Sequence, residues 1–307
     1  MIPEISEFSY GFALVNELVG WTALHAAPIF PSLIEEGKVG RGYDVKLDRP
    51  GVPLLLQFKR SDYMKTRGAR EIHKYRLDLD VPFYRFAITE RNRSFQHISL
   101  ISLEAEGNLV FYAAPMFHTL DEINSAWASQ RVVERSIFVS PNEIGLINDN
   151  ERHWVSFDEL KTYFCSEPRN IAALRAEDLR EKLEGALAED ARPMREQLPD
   201  WLRSIDRAAL GRRALFEKLK TGADGRVTGA TGIPQPEARQ ATVAFEQAPE
   251  GAFRRRIQRR FIRRGSVEIR SAKPLDPERK MLREISDKAM YKFGVQMIVV
   301  QATDKKS

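Results

Sequence analysis

The segment YDVKLDRPGVPLLLQFKR, residues 43–60, constrains the fold more than any other stretch of the chain. Apolar and polar residues alternate on both sides of Pro50-Gly51, a dipeptide that favours chain reversal, so the pattern predicts a β-hairpin. A symmetric reversal at that point sets Asp44 directly opposite Gln57. Opposed side chains in such a pair lie about 4.5–5.5 Å apart and alternate residues share a face, so Asp44, Gln57 and Lys59 are expected to project together. Tyr43, Val45, Leu47, Leu54, Leu56 and Phe58 fall on the other, core-facing side.

A carboxylate, an amide carbonyl and an ammonium group on one face match the needs of phosphodiester hydrolysis. That reaction uses a cation to neutralise transition-state charge and a group that positions or deprotonates water. Mg²⁺ prefers oxygen ligands and keeps several waters, so Asp44 and the Gln57 carbonyl would serve as its protein ligands, with Mn²⁺ as a substitute. Lys59 would orient the water, withdraw charge from the phosphate, or move a proton if its pKa is lowered. The plainer reading of the same residues is a hairpin with polar side chains turned outward.

GYDVKL, then twelve residues between Asp44 and Gln57, then QFK, all preceded by a helix bearing an acidic residue, resembles the PD-(D/E)xK restriction-endonuclease-like superfamily. The similarity is to its Mrr-type branch, in which Gln stands for the second acidic residue, and it covers about residues 6–90. Tyr43 occupies the place of the motif's proline, and Gln57 removes one negative charge from the motif. The resemblance implies an α/β fold with an αβββαβ core, a Mg²⁺-dependent endonuclease activity on DNA, and use in prokaryotic antiviral defence. It also implies that Glu17 adds a carboxylate to the metal site, with Glu7 as the fallback. The alternative that the Gln57 substitution leaves open is a catalytically inactive nucleic-acid-binding or regulatory subunit of a defence complex.

The rest of the chain divides by composition. Residues 1–165 carry the nuclease-like pattern, extended by the strands PFYRFAIT, LVFYAA and RSIFVS and by a helix near Leu120 to Ser129. Residues 68–79 also read as helical. Residues 166–220 are charged and helical, and 221–251, rich in Gly, Pro, Ala and Gln, read as a linker or loop. Residues 252–307 form a basic C-terminal α+β module, with a helix opened by Asp276-Pro277 and stopped near Gly294 before the strand VQMIVVQA.

Its most basic part is RRRIQRRFIRR, residues 254–264, with seven arginines. Phe253, Ile257 and Phe261 recur every fourth residue there, as in a basic amphipathic helix. Arg254, Arg255, Arg256, Arg259, Arg260 and Arg263 would hold phosphates through their planar forks. An acidic protein partner, such as an activator from a defence system, and a solvated face are the competing readings. Arg60, Lys65 and Arg67, with Arg70 and Lys74 beyond them, would flank the mouth of the site as phosphate contacts or as a solvated helix face.

His73 reads as a surface or structural histidine before a proton carrier. His97, His118 and His153 lack ligand spacing. The single cysteine, Cys165, excludes an internal disulfide and a cysteine zinc cage, and so points to the cytoplasm. No apolar run reaches membrane-spanning length. A homo-oligomer is compatible with all of these features.

Overall fold

The computed structural model describes residues 1–21, 24–29, 45–221 and 276–302. Its class is mixed α/β. Helix α1 (Glu7–Val19) is opened by the Ser6 hydroxyl, which accepts from the Ser9 N–H, and it buries Tyr10, Leu14 and Leu18. The elements β1 (Leu24–Ile29), β2 (Val52–Phe58), β3 (Asp62–Met64), α2 (Arg70–His73) and β4 (Phe83–Ile88) follow. Next come α3 (Gln96–Ala105), β5 (Leu109–Pro115), α4 (Leu120–Ala128), β6 (Ser136–Val139) and α5 (Pro141–Ile144). The chain continues through β7 (His153–Phe157), β8 (Thr162–Phe164), β9 (Arg169–Asn170), α6 (Ala176–Glu189) and α7 (Met194–Thr221). After residue 275 it resumes with α8 (Pro277–Lys288), a π-helical turn (Ala289–Phe293) and β10 (Gln296–Ala302).

Among the described residues there are two five-stranded sheets, ordered β1-β10-β2-β5-β6 and β3-β4-β7-β8-β9. In the first, β2 runs antiparallel to β10 and parallel to β5. Both faces of that sheet are covered. Leu54 and Leu56 join Tyr10, Leu14 and Leu18 of α1 and Leu179 and Leu183 of α6. Leu55 joins Leu100 and Leu103 of α3, Leu198 of α7 and Ile285 of α8. Coverage on two sides explains the unbroken Leu54-Leu55-Leu56, since a strand packed on both faces is apolar at every position. Each such leucine contributes about 2 kcal/mol by leaving water. The second sheet reaches the same core through Phe86 and Phe157.

The expected hairpin is not formed. Residues 45–50 are turn and coil, and the partner of Leu55 on its antiparallel side is Met297. Lys46 is tied to Gln301 instead: its N–H donates to Gln301 Oε1 at 3.0 Å, and Gln301 Nε2 donates back to its carbonyl at 2.9 Å. Gln301 lies at the far end of β10 from Gln296, which pairs with Leu56 beside Gln57. The separate module expected over 252–307 is likewise revised. Its described part, 276–302, belongs to one unit with residues 1–219 and supplies a central strand. The region 166–220 is helical over α6 and α7, which cover opposite faces of the first sheet, while its first residues hold β9. Only Arg70–His73 of the helix expected over 68–79 is helical. The linker residues 222–251 and the arginines 254–263 lie outside the described residues.

Gly11 sets how closely α1 approaches β2. A Cβ at that position would stand 2.6 Å from the Phe58 ring. Gly11→Ala is therefore expected to lower stability by about 1–2 kcal/mol in urea denaturation, although alanine is the better helix former. An unchanged midpoint would mean that the Phe58 ring moves aside freely.

Candidate functional site

Gln57 and Lys59 leave the carboxyl end of β2 on the face shared with Leu55, opposite the face that packs on α1. The Lys59 N–H donates to Ala113 O at 2.9 Å, which continues the pairing of β2 with β5 one residue past the strand. Lys59 is only 7% exposed. Its Nζ donates to Gln96 Oε1 at 3.0 Å and stands 5.5 Å from the centre of the Tyr112 ring. Burial lowers its pKa below the usual lysine value, and the Glu7 carboxylate opposes that shift.

The Gln57 side chain turns its Nε2 to Phe58 O at 3.2 Å, and its Oε1 is buried with no hydrogen-bond partner among the described residues. A buried carbonyl oxygen left unpaired is costly, so this acceptor is the feature of the cluster that most calls for a ligand. Gly294, at φ +70°, closes the π-helical turn beside it. A Cβ there would stand 3.5 Å from Gln96 Nε2 and 3.9 Å from Gln57 Oε1, ordinary contact distances, so the C-terminal segment lies directly against the site.

Beneath the cluster lies a second polar pair. His97 Nε2 is 2.8 Å from Gly145 O, and a carbonyl only accepts, so Nε2 carries the proton. Nδ1 then accepts from the Tyr112 hydroxyl at 3.0 Å. Burial holds His97 neutral and pushes its pKa down to about 4, with smaller contributions from His153 and Lys59.

Asp44 lies outside the described residues, as do Arg254, Arg255, Arg256, Arg259, Arg260 and Arg263. The structure brings Gln57 and Lys59 together but not Glu17. The Glu17 carboxylate accepts from the Val132 N–H at 2.6 Å and the Val133 N–H at 3.2 Å, which fixes the loop after α4. Burial raises its pKa, and those two N–H groups pull it back. Glu7, the fallback, begins α1 ten residues earlier, about 15 Å along the helix. It is the acidic residue whose field reaches Lys59.

Gln96 escaped the sequence reading because an amide at a helix start carries no motif. Arg60, Lys65, Arg67, Arg70, His73 and Lys74 are all exposed. Lys65 to Lys74 accompany the outer strand β3 of the second sheet and the short α2 after it. His118 stacks on Tyr63 at 4.2 Å, and His153 contacts Asp149 at 2.7 Å, so neither joins the cluster.

Among the described residues no three Asp, Glu, His or Cys side chains gather as metal ligands do, and no helix is long and apolar enough to cross a membrane. Two clefts of about 350 and 810 Å³ lie elsewhere, the larger bounded by Tyr84, Met116, Arg135 and Leu160. Comparison of the chain with protein-family models, curated proteins and solved structures yields no match.

Two outcomes follow from this geometry. The unfolded chain binds a proton near pH 6.5 that His97 resists in the fold until about pH 4. Stability from this source is therefore complete above pH 6.5 and falls by up to about 3 kcal/mol as pH drops to 4. His97→Gln should flatten the acid limb of urea stability measured across that range, and parallel curves for the two proteins would refute the assignment. Glu17→Gln should cost about 1–3 kcal/mol through its lost backbone contacts, and an unaltered melting temperature would exclude this anchoring role.

Proposed function

We propose that this chain is a divalent-metal-dependent nuclease of restriction-endonuclease-like fold that hydrolyses phosphodiester bonds in DNA, as an effector in prokaryotic defence. The observation that carries the reading is the pairing of an unpartnered, buried Gln57 Oε1 with a buried lysine amine at the end of a central strand. The order of α1, then β2, then the crossover through α3 to a parallel β5 is compatible with the core that the resemblance implies. There are two departures: β10, from the far end of the chain, occupies the antiparallel side of β2, and β3 and β4, which fall within residues 6–90, lie in the second sheet.

Gln57 Oε1 fits a hard cation because it is an oxygen donor with no other partner. Asp44 and Glu7 would complete the set. Bound Mg²⁺ or Mn²⁺ would supply charge neutralisation at the phosphate and a more acidic water. Lys59, whose burial favours the neutral amine, can hold the attacking water or accept its proton at a pH where an ordinary lysine cannot. Gln96 orients that amine through its Oε1. Arg60, which follows Lys59 directly and is exposed, would meet the phosphate backbone.

The depth of Lys59 favours one second reading, a catalytically silent nucleic-acid-binding or regulatory subunit in which the lysine is structural. Degradation of plasmid DNA and of RNA in Mg²⁺, with a chelator control, separates the two. Cleavage should fall at least about 100-fold in Asp44→Ala and Lys59→Ala, with nucleic-acid binding retained. Equal behaviour of wild type and both variants would leave the binding role.

A further inference from the structure

The outer face of α1 and α4 carries Phe8, Phe12, Leu120 and Trp127, which are 82%, 58%, 55% and 47% exposed. Phe8 and Phe12 are one helical turn apart and share a side of α1. The Phe12 ring meets Trp127 edge-on with centroids 6.5 Å apart. At the other end of the seam, the Leu120 N–H donates to Glu4 Oε2 at 3.2 Å. The two helices thus run side by side in the same direction, and the four side chains form one stripe. Isolated exposed apolar residues are ordinary, whereas a contiguous aromatic stripe marks a contact surface.

The charge around the stripe narrows what can cover it. Along EFSYGFALVNELV and LDEINSAWA every charged residue is acidic: Glu7, Glu17, Asp121 and Glu122. Glu17 and Glu122 are engaged by the backbone N–H groups of Val132 and Val133 and of His118 and Thr119. Glu7 and Asp121 are exposed. Arg131, the first base after α4, is held by Glu134 at 2.6 Å. In a chain of formal charge +5, this face has the opposite sign to the whole. It therefore repels polyanions and attracts cationic surfaces.

We propose that the α1–α4 face docks a basic amphipathic helix of a partner protein. The partner's apolar side chains would lie on Phe8, Phe12, Leu120 and Trp127, and its Lys or Arg flank would face Glu7 and Asp121. Glu7 also belongs to the proposed metal set, so the electrostatic arm of the test is placed on Asp121, which does not.

Fluorescence anisotropy of a labelled Leu/Lys amphipathic peptide of about 18 residues, long enough for several turns, tests it on the full chain. Binding should weaken at least about tenfold for a Leu/Glu peptide of the same pattern and for the double variant Phe12→Ser, Trp127→Ser. It should weaken about threefold or more for Asp121→Lys and stay unchanged for Leu160→Ser, which alters an exposed leucine elsewhere. Circular dichroism checks that each variant is folded. Equal binding of the two peptides, or binding indifferent to the surface variants, would overturn the proposal. So would stripe-dependent dimerisation in size-exclusion chromatography, which makes a second copy the occupant, or stripe-dependent capture by phosphatidylserine vesicles.

Discussion

The insertion of β10 between β1 and β2 is the constraint on which the described unit depends. A strand buried on both faces, as β2 is, has no water to satisfy its backbone N–H and C=O groups, so both of its edges must be paired. Strand β5 takes one edge, and β10, arriving from the end of the chain, takes the other. With β10 come α8 and the π-helical turn, which fill one side of the core through Ile285, Ala289 and Phe293. Gly294 follows directly and is thereby delivered to the end of β2 where Gln57 and Lys59 emerge.

Among the described residues, the polar groups at that end make no ion pair at hydrogen-bond distance. The Lys59 amine has an amide oxygen as its partner and an aromatic face nearby, and Glu7 acts on it only through its field. His97 below is kept neutral by burial, with both ring nitrogens hydrogen-bonded. An amine in such surroundings gives up its proton more readily than one beside a carboxylate, because among the described residues only the field of Glu7 compensates the charged form. The same burial that tunes Lys59 also limits its access. Reading the cluster as catalytic therefore requires substrate to reach the end of β2, and the unpaired Gln57 oxygen is the group that would gain from its arrival.

The two candidate surfaces differ in sign. Arg60 and the exposed bases from Lys65 to Lys74 lie on β3, α2 and the segments around them, whereas the α1–α4 face is acidic and aromatic. A phosphate backbone and a basic helix would thus meet different parts of the same unit, which keeps the two proposed encounters from competing electrostatically.

Local patterns were legible wherever local physics decides the outcome. The apolar run 52–58 became a strand, Glu7–Val19 became a helix, and Asp276-Pro277 opens a helix that Gly294 ends after a π-helical turn. The grouping of Gln57 with Lys59 also follows from strand alternation alone. The partner of β2 was not legible, because a turn signal at Pro50-Gly51 states only that the chain can reverse there. Register on a fully buried strand is decided by which apolar segment fills the sheet, and Met297, Ile298 and Val299 do so. In the same way, the resemblance implied Glu17 as the site's acid, with Glu7 as the fallback. Only the packing of α1 put one end near Lys59 and the other against Val132 and Val133, while Gln96 and Gly294 joined the site because α3 and the C-terminal turn meet there. Sequence by itself determined that residues 52–58 form a strand and 7–19 and 277–288 form helices, and which polar side chains break that apolar strand, since those follow from neighbours along the chain. Tertiary structure alone decided which distant segment pairs with that strand and which side chains surround its lysine, because burial on two faces is a property of the assembled sheet.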